Sequence, residues 1–173
     1  MTQDNDVLSI VVMGVSGSGK TTIGLALSKN IGCTFLDADA LHTPDNIKKM
    51  TSGHALDDED RWPWLQSVGE CIKAYEEDHL GSVTACSSLR RSYRDVLRNF
   101  VPDLFFVYLG GSLGLTAPRV ETRANNVLPR ALLGSQFDVL EPLEADEVGL
   151  CVDAEKDPNE IVNLVVRHLS ATT

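Results

Sequence analysis

A glycine-rich segment near the amino terminus has the residue types and spacing that bind phosphate groups. Residues 14–21 have the sequence GVSGSGKT. Glycines let backbone N–H groups approach a polyanion, the lysine adds positive charge, and the threonine hydroxyl suits Mg²⁺. We therefore predict a nucleoside triphosphate site with Lys20 catalytic and Thr21 at Mg²⁺. The predicted nucleotide-binding residues of this segment are Gly14, Val15, Ser16, Gly17, Ser18, Gly19, Lys20, Thr21 and Thr22.

The phosphate loop does not identify the group that accepts the phosphoryl. GTPases, ATPases, nucleotide kinases and metabolite kinases all use such a loop. Asp37, Asp39 and His42 follow the next apolar segment and supply candidates for the acceptor side. Asp37 can join a Mg²⁺ shell, and Asp39 can accept the proton of an attacking hydroxyl. An acidic cap on the following helix is the alternative explanation for these carboxylates.

A concentration of arginines is the second acceptor-side feature. Four of the 15 basic residues fall within nine positions, at Arg90, Arg91, Arg94 and Arg98. Residues four apart share a helix face, so Arg90 and Arg94 are predicted to point the same way. Such a cluster suits a carboxylate or phosphate, although a solvated basic face would have the same composition.

Strand-like and helix-like segments alternate along the whole chain, and these elements must position the candidate residues. The predicted strands are Val7–Met13, Thr34–Leu36, Val83–Cys86, Leu104–Leu109 and Leu150–Val152. The predicted helices are Thr21–Asn30, Asp45–Met50, Arg61–Glu77, Leu89–Phe100, Leu113–Ala124 and one that begins at Pro158. This alternation predicts an α/β fold in which a parallel sheet has helices on both faces and binds ligands at the carboxyl ends of its strands.

Length, composition and charge narrow the class of protein. The chain has 173 residues, of which 43% are hydrophobic, and a formal net charge of −10. These values fit one globular domain over residues 1–173 and argue against nucleic acid or an anionic membrane as a partner. The start carries Asp4 and Asp6 but no basic residue, so we expect no signal peptide and a cytoplasmic location.

Three further blocks resemble the gluconokinases. They are DADALH at 37–42, DRWPWL at 60–65 and CSSLRRSYRD at 86–95, and the similarity extends over about Val7–Leu169. The resemblance implies a single-domain, three-layer αβα P-loop kinase fold like that of the nucleoside monophosphate kinases. It implies a five-stranded parallel sheet, a core at about 7–169 and a mobile lid at about 110–134. It also implies ATP- and Mg²⁺-dependent phosphorylation of D-gluconate at its 6-hydroxyl by a homodimer.

The same resemblance implies roles for individual residues. Asp39 would orient or deprotonate the hydroxyl, Arg123 would stabilise the γ-phosphoryl, and Arg119 would bind the nucleotide. Asp37 and Thr21 would hold Mg²⁺. The residues implied to bind the substrate are Asp39, His42, Lys49, Arg61, Arg90, Arg94 and Gln136.

The sequence departs from the gluconokinase pattern in the lid. Gluconokinases have an arginine followed closely by glycine, histidine and an aromatic residue, whereas Arg123 is followed here by ANNVLP at 124–129. Two alternatives therefore stay open. One is a kinase for another small hydroxy acid such as shikimate, and the other is a nucleotide-binding protein whose altered lid impairs turnover.

Overall fold

A five-stranded parallel sheet forms the centre of the molecule. The computed structural model describes residues 8–121 and 130–172. The strands are β1 (Ser9–Met13), β2 (Thr34–Asp37), β3 (Ser82–Ala85), β4 (Phe105–Gly110) and β5 (Gly149–Asp153), in the spatial order β2-β3-β1-β4-β5. All four pairings are parallel, so the carboxyl ends of the strands meet at one edge. The predicted sheet is thereby confirmed.

Helices cover both faces of this sheet in the described part of the chain. They are α1 (Lys20–Ile31), α2 (Pro44–Thr51), α3 (Asp58–Glu77), α4 (Arg91–Phe100), α5 (Leu113–Glu121), α6 (Leu133–Val139) and α7 (Pro158–Thr172). Two short 3-10 helices span Ala38–Leu41 and Arg130–Leu132. None of the helices in the described ranges is both long and apolar enough to cross a membrane.

The side chains of β1 show why the fold has three layers. Successive residues of a strand point to opposite faces of the sheet. Ile10 and Val12 pack in a buried cluster with α1 and α7, whereas Val11 and Met13 pack in another with α3 and α4. A strand buried on both faces has to be apolar throughout, which explains the continuous run that identified β1 in the sequence.

Two helix boundaries differ from the predicted ones in ways that affect the site. Helix α3 begins at Asp58 and not at Arg61, because Asp57 and Asp60 form a capping box before it. Helix α4 begins at Arg91 and not at Leu89. Helix α6 was not predicted. The predicted helix Leu113–Ala124 corresponds to α5, and its residues 122–124 lie outside the described part of the chain.

Candidate active site

The phosphate loop connects β1 to α1 and leaves the first turn of the helix available to an anion. Gly19 is the N-cap residue with φ +102°, and no side chain caps α1. The backbone N–H groups and the dipole of this helix therefore favour a phosphate at its start. Gly17 has φ +79°, and a Cβ there would lie only 2.6 Å from the carbonyl oxygen of Thr116. The close approach of α5 thus also requires glycine in the loop.

A cleft of about 320 Å³ opens beside the loop and has the size of a small-molecule site. The Arg119 guanidinium lies at its edge, 3.4 Å from the carbonyl oxygen of Ala154. The segment after β5 closes the other side. The predicted position of Arg119 at the nucleotide site fits this geometry. The lining residues are Gly17, Ser18, Gly19, Lys20, Thr21, Thr22, Ile23, Arg119, Ala154, Lys156, Pro158 and Ile161.

Lys20 and Asp39 follow two strands of the sheet, β1 and β2, that end at the same edge. The Lys20 ammonium donates to the carbonyl oxygen of Val15 at 2.9 Å, across the phosphate loop. Burial raises the pKa of the Cys86 thiol to about 11, and among the smaller contributions the charge of Asp39 raises it while Lys20 lowers it. Cys86 directly follows β3, which lies between β1 and β2 in the sheet. A phosphoryl donor at Lys20 and an acceptor at Asp39 would therefore lie at the same sheet edge.

Oxygen donors suitable for a divalent cation lie at the same edge of the sheet. Thr21 is in the first turn of α1, and Asp37 ends β2, whose residues pair with β3 next to β1. The Asp37 carboxylate accepts a hydrogen bond from the backbone N–H of Asp39 at 3.1 Å. A hydroxyl and a carboxylate are ligands that Mg²⁺ accepts, so the two residues fit the predicted metal site.

Helix α3 holds the turn that carries Asp39. The Trp64 indole N–H donates to the carbonyl oxygen of Ala38 at 2.7 Å. The Trp64 ring stacks on His42, with ring centroids 4.2 Å apart. The His42 side chain is only 7% exposed, and its Nε2 lies 3.9 Å from Asp39 Oδ1. The Asp39 carboxylate itself is open to solvent.

His42 is a neutral hydrogen-bonding group beside that carboxylate. Burial lowers the pKa of His42, nearby Arg61 lowers it further, and Asp39 opposes both effects. The buried Nδ1 atom has no hydrogen-bond partner in the described part of the chain. Because Nδ1 is enclosed by the protein, a substrate cannot contact it in this conformation, and the substrate-binding role of His42 stays a prediction.

Arg61 and Arg90 meet at the ring of Tyr93. Their guanidinium carbons lie 5.5 and 5.8 Å from the ring centroid. Asp58 contacts both Arg90 and the Tyr93 hydroxyl. Asp58 and Tyr93 had no predicted role. Their only signals were the acidic run at 57–60 and the YRD residues of the third gluconokinase-like block.

Lys49, in the last turn of α2, reaches the amino end of α3 with its side chain. Its ammonium donates to Asp57 at 3.1 Å and to Asp60 at 2.5 Å, the two carboxylates of the capping box. Hydrogen bonds to Asp60 and Asp57 raise the pKa of Lys49. Lys49 thus joins α2 to α3, and its binding of the substrate stays a prediction.

The structure corrects the predicted role of Arg94. Its side chain is fully buried, and all five N–H groups have acceptors within the protein: Glu147 at 2.7 and 2.6 Å, and the carbonyl oxygens of Ser88, Glu141 and Pro142. No donor is left for a substrate. The expectation that Arg90 and Arg94 share a helix face was wrong because Arg90 is the N-cap residue, with an extended backbone, and precedes the helix.

The other arginines of α4 are neutralised by an acidic segment that leads into β5. Arg91 pairs with Glu144 and with Asp146, the latter at 2.7 Å. Arg98 lies 2.9 Å from Glu147 and 3.2 Å from Asp95. Most of the arginine cluster therefore joins α4 to residues 141–147. Arg90 instead contacts Asp58, and its binding of the substrate stays a prediction.

Gln136 lies against the phosphate loop, and its binding of the substrate stays a prediction. Its side-chain oxygen accepts a hydrogen bond from the backbone N–H of Ser16 in the phosphate loop at 2.7 Å. Helix α6 packs against the phosphate loop and α5, where Leu133 and Phe137 contact the cluster that contains Val15. Gln136 consequently supports the phosphate loop. Arg123 and the departure at 124–129 lie outside the described residues.

We expect Arg94→Ala to destabilise the protein and not to change substrate affinity selectively. The substitution would leave Glu147 buried without its main partner, which costs about 3–5 kcal/mol. Urea unfolding at pH 7 measures the loss. Arg91→Ala is the matched control, because its ion pairs are exposed and removing them costs less than about 1 kcal/mol. Equal stabilities of the two variants would contradict the assignment.

Glu147 makes part of the stability dependent on pH. Burial raises its pKa, but hydrogen bonds from Arg94, the Glu144 backbone and Arg98 outweigh this effect and hold the pKa at about 2, below the ordinary 4.5. The folded state therefore binds this proton more weakly than the unfolded state. The resulting stabilisation is complete above pH 4.5 and is lost as the pH falls to about 2. NMR titration of the Glu147 carboxyl tests this, and a midpoint at or above 4.5 would contradict it.

Comparisons with known proteins identify the family. The shikimate kinase family model matches residues 16–163. The gluconokinase of Gluconobacter oxydans is 40% identical and covers 94% of this chain and 91% of its own. The crystal structure of a gluconokinase from Sinorhizobium meliloti has a TM-score of 0.85 and 42% identity over 96% of this chain and 94% of that one. A sugar kinase structure from Janibacter has a TM-score of 0.90 and 41% identity over 95% of both chains. The chain belongs to the gluconokinase family, within the P-loop kinases that the shikimate kinase model describes.

Proposed function

We propose that this protein transfers the γ-phosphoryl group of ATP to the terminal 6-hydroxyl of D-gluconate. The observation that carries the proposal is geometric: the phosphate loop with Lys20 and the turn with Asp39 follow strands β1 and β2, whose carboxyl ends meet at one edge of the sheet. Gluconokinases at about 40% identity over most of the chain support gluconate as the acceptor.

Asp39 would act as the general base, and its carboxylate is 64% exposed and thus accessible to a hydroxyl. The hydroxyl oxygen forms a new bond to the γ-phosphorus, the bond from that phosphorus to the β,γ-bridging oxygen breaks, and ADP leaves. The hydroxyl proton passes to Asp39. Trp64 and His42 hold the turn on which Asp39 lies, so that the carboxylate needs little reorganisation.

The charges of the phosphate groups are balanced by the loop and its helix. Lys20 and the uncapped N–H groups of α1 neutralise charge on the transferring phosphoryl group. Thr21 and Asp37 would hold Mg²⁺, which supplies further charge neutralisation when bound. Arg119 and the cleft beside Ala154 would bind the nucleoside end of ATP.

The acceptor's carboxylate would bind Arg61 and Arg90. Arg61 lies about one helical turn before Trp64, whose ring stacks on His42. Arg61 and Arg90 share the Tyr93 ring. A polyhydroxy acid needs both cations for its carboxylate and fixed hydrogen bonds for its hydroxyls, since unpaired buried groups penalise the wrong acceptor.

A coupled assay for ADP formation over a panel of acids tests this function. Gluconate is expected to have the highest kcat/KM. Shikimate is the second acceptor to include, because the matching family model describes shikimate kinase. A preference for shikimate would overturn the proposal. Tight ATP binding without ADP formation from any acid would favour the nucleotide-binding alternative with an altered lid.

We also propose that the chain is one domain, with a lid at residues 110–134, and acts as a homodimer in the cytoplasm. Light scattering after size exclusion would then give twice the 18.8 kDa chain mass. A mass equal to one chain would contradict the dimer.

A further inference from the structure

A single hydrogen-bonded chain joins the two arginines of the acceptor side. Arg61 Nη1 donates to the Tyr93 hydroxyl at 3.1 Å. The Tyr93 hydroxyl donates to Asp58 Oδ1 at 2.5 Å. Arg90 Nη1 donates to the other Asp58 oxygen at 3.2 Å. Each guanidinium is thereby tied at one nitrogen to a common anchor.

The Tyr93 end of this anchor is enclosed by the protein. Tyr93 is 1% exposed and packs edge-on against Trp62, with ring centroids 5.3 Å apart. The side chains of Arg90 and Asp58 are 36% and 40% exposed. The Tyr93 hydroxyl thus holds Arg61 directly and Arg90 through Asp58, and the Arg90 guanidinium stays partly open to solvent.

The unused donors define what the arginines can bind. Within the described part of the chain, the guanidinium groups of Arg61 and Arg90 make no hydrogen bond besides those to Tyr93 and Asp58. Their other N–H groups are left for an anion. Two cations against the one carboxylate of Asp58 leave one positive charge, which matches a single carboxylate.

We propose that Asp58 and Tyr93 are positioning residues that orient Arg61 and Arg90 toward one carboxylate and so select a monoanionic acid. The inference rests on the proposed function, because it assumes that the acceptor lies against these arginines. Asp58 then has a second role besides that of a countercharge. Its two oxygens determine where the guanidinium groups point.

Tyr93→Phe is the first test, since it removes one hydroxyl and keeps the buried ring. We expect the KM for gluconate to rise about tenfold, because the lost hydrogen bond involves charged groups. The KM for ATP and the kcat at saturation should stay within twofold. Tyr108→Phe is the matched control, because it removes a hydroxyl from another tyrosine that packs against the same buried cluster. Equal changes in the two variants, or an unchanged KM in Tyr93→Phe, would overturn the inference.

Asp58→Asn separates positioning from simple charge. The amide oxygen can still accept from Tyr93, but its nitrogen cannot accept from Arg90. Positioning predicts that the KM for gluconate rises about fivefold or more, although the pocket becomes more positive. A mere countercharge predicts a lower KM, and that result would overturn the inference. If the wild-type enzyme does not turn over gluconate, the proposed function and this inference are overturned together. If the wild type is active and the variants behave like it, the inference alone is overturned.

Discussion

Lys20→Ala is expected to lower kcat by at least about a thousandfold and to leave the fold intact. The lysine is the charged group of the phosphate loop, and its ammonium already points across the loop to the Val15 carbonyl oxygen. In phosphoryl transfer, catalysis consists largely of positioning and charge neutralisation, so the missing charge is felt most in the transition state. Single-turnover ADP formation at saturating ATP and gluconate measures the effect.

Lys29→Ala is the matched control for this loss. Lys29 lies in the last turn of the same helix, where its side chain is exposed. The control is expected to retain kcat within twofold, and both variants should keep the far-UV circular dichroism of the wild type. Near-normal turnover of Lys20→Ala would refute the assignment of the phosphate loop.

Asp39→Asn is expected to lower kcat by about a hundredfold to ten-thousandfold. The amide has the size of the carboxylate but cannot accept the hydroxyl proton. The KM for ATP should change little, because the nucleotide cleft is lined by other residues. Steady-state kinetics with varied ATP and varied gluconate separate the two effects.

The stability of Asp39→Asn distinguishes a catalytic loss from misfolding. The Asp39 side chain is 64% exposed, so the free energy of unfolding should change by less than about 0.5 kcal/mol. Asp45→Asn, at an exposed position in the first turn of α2, is the control for removing a surface carboxylate. A kcat within tenfold of the wild type would show that Asp39 is not the base.

Local sequence patterns predicted much of the fold and the phosphate site. β1 is apolar at every position because both faces of the strand are buried, and that run is visible without any partner. The phosphate loop is likewise local, since its conformation depends on glycines and on the helix that follows directly. Asp37 and Asp39 could be placed at the correct sheet edge because every strand of a parallel sheet ends on the same side.

Helix boundaries were less predictable, and one of them changed the assignment of a residue. The apolar and charged pattern of 89–100 allowed α4 to begin at Leu89, which would place Arg90 and Arg94 on one face. The backbone at Arg90 is extended, so the two guanidinium groups diverge. Arg90 reaches Asp58, and Arg94 turns inward to Glu147.

The sequence by itself determined the P-loop kinase architecture, the phosphate loop and the sheet edge at which Asp39 lies, because these depend on short segments and on sheet topology. Only the tertiary structure decided which arginines are paired within the protein and which keep donors for the proposed acceptor. Arg94 lies 53 positions before Glu147, and Arg61 lies 32 positions before Tyr93. Which charges pair across such separations depends on how α3, α4 and residues 141–147 pack together, and no local pattern carries that information.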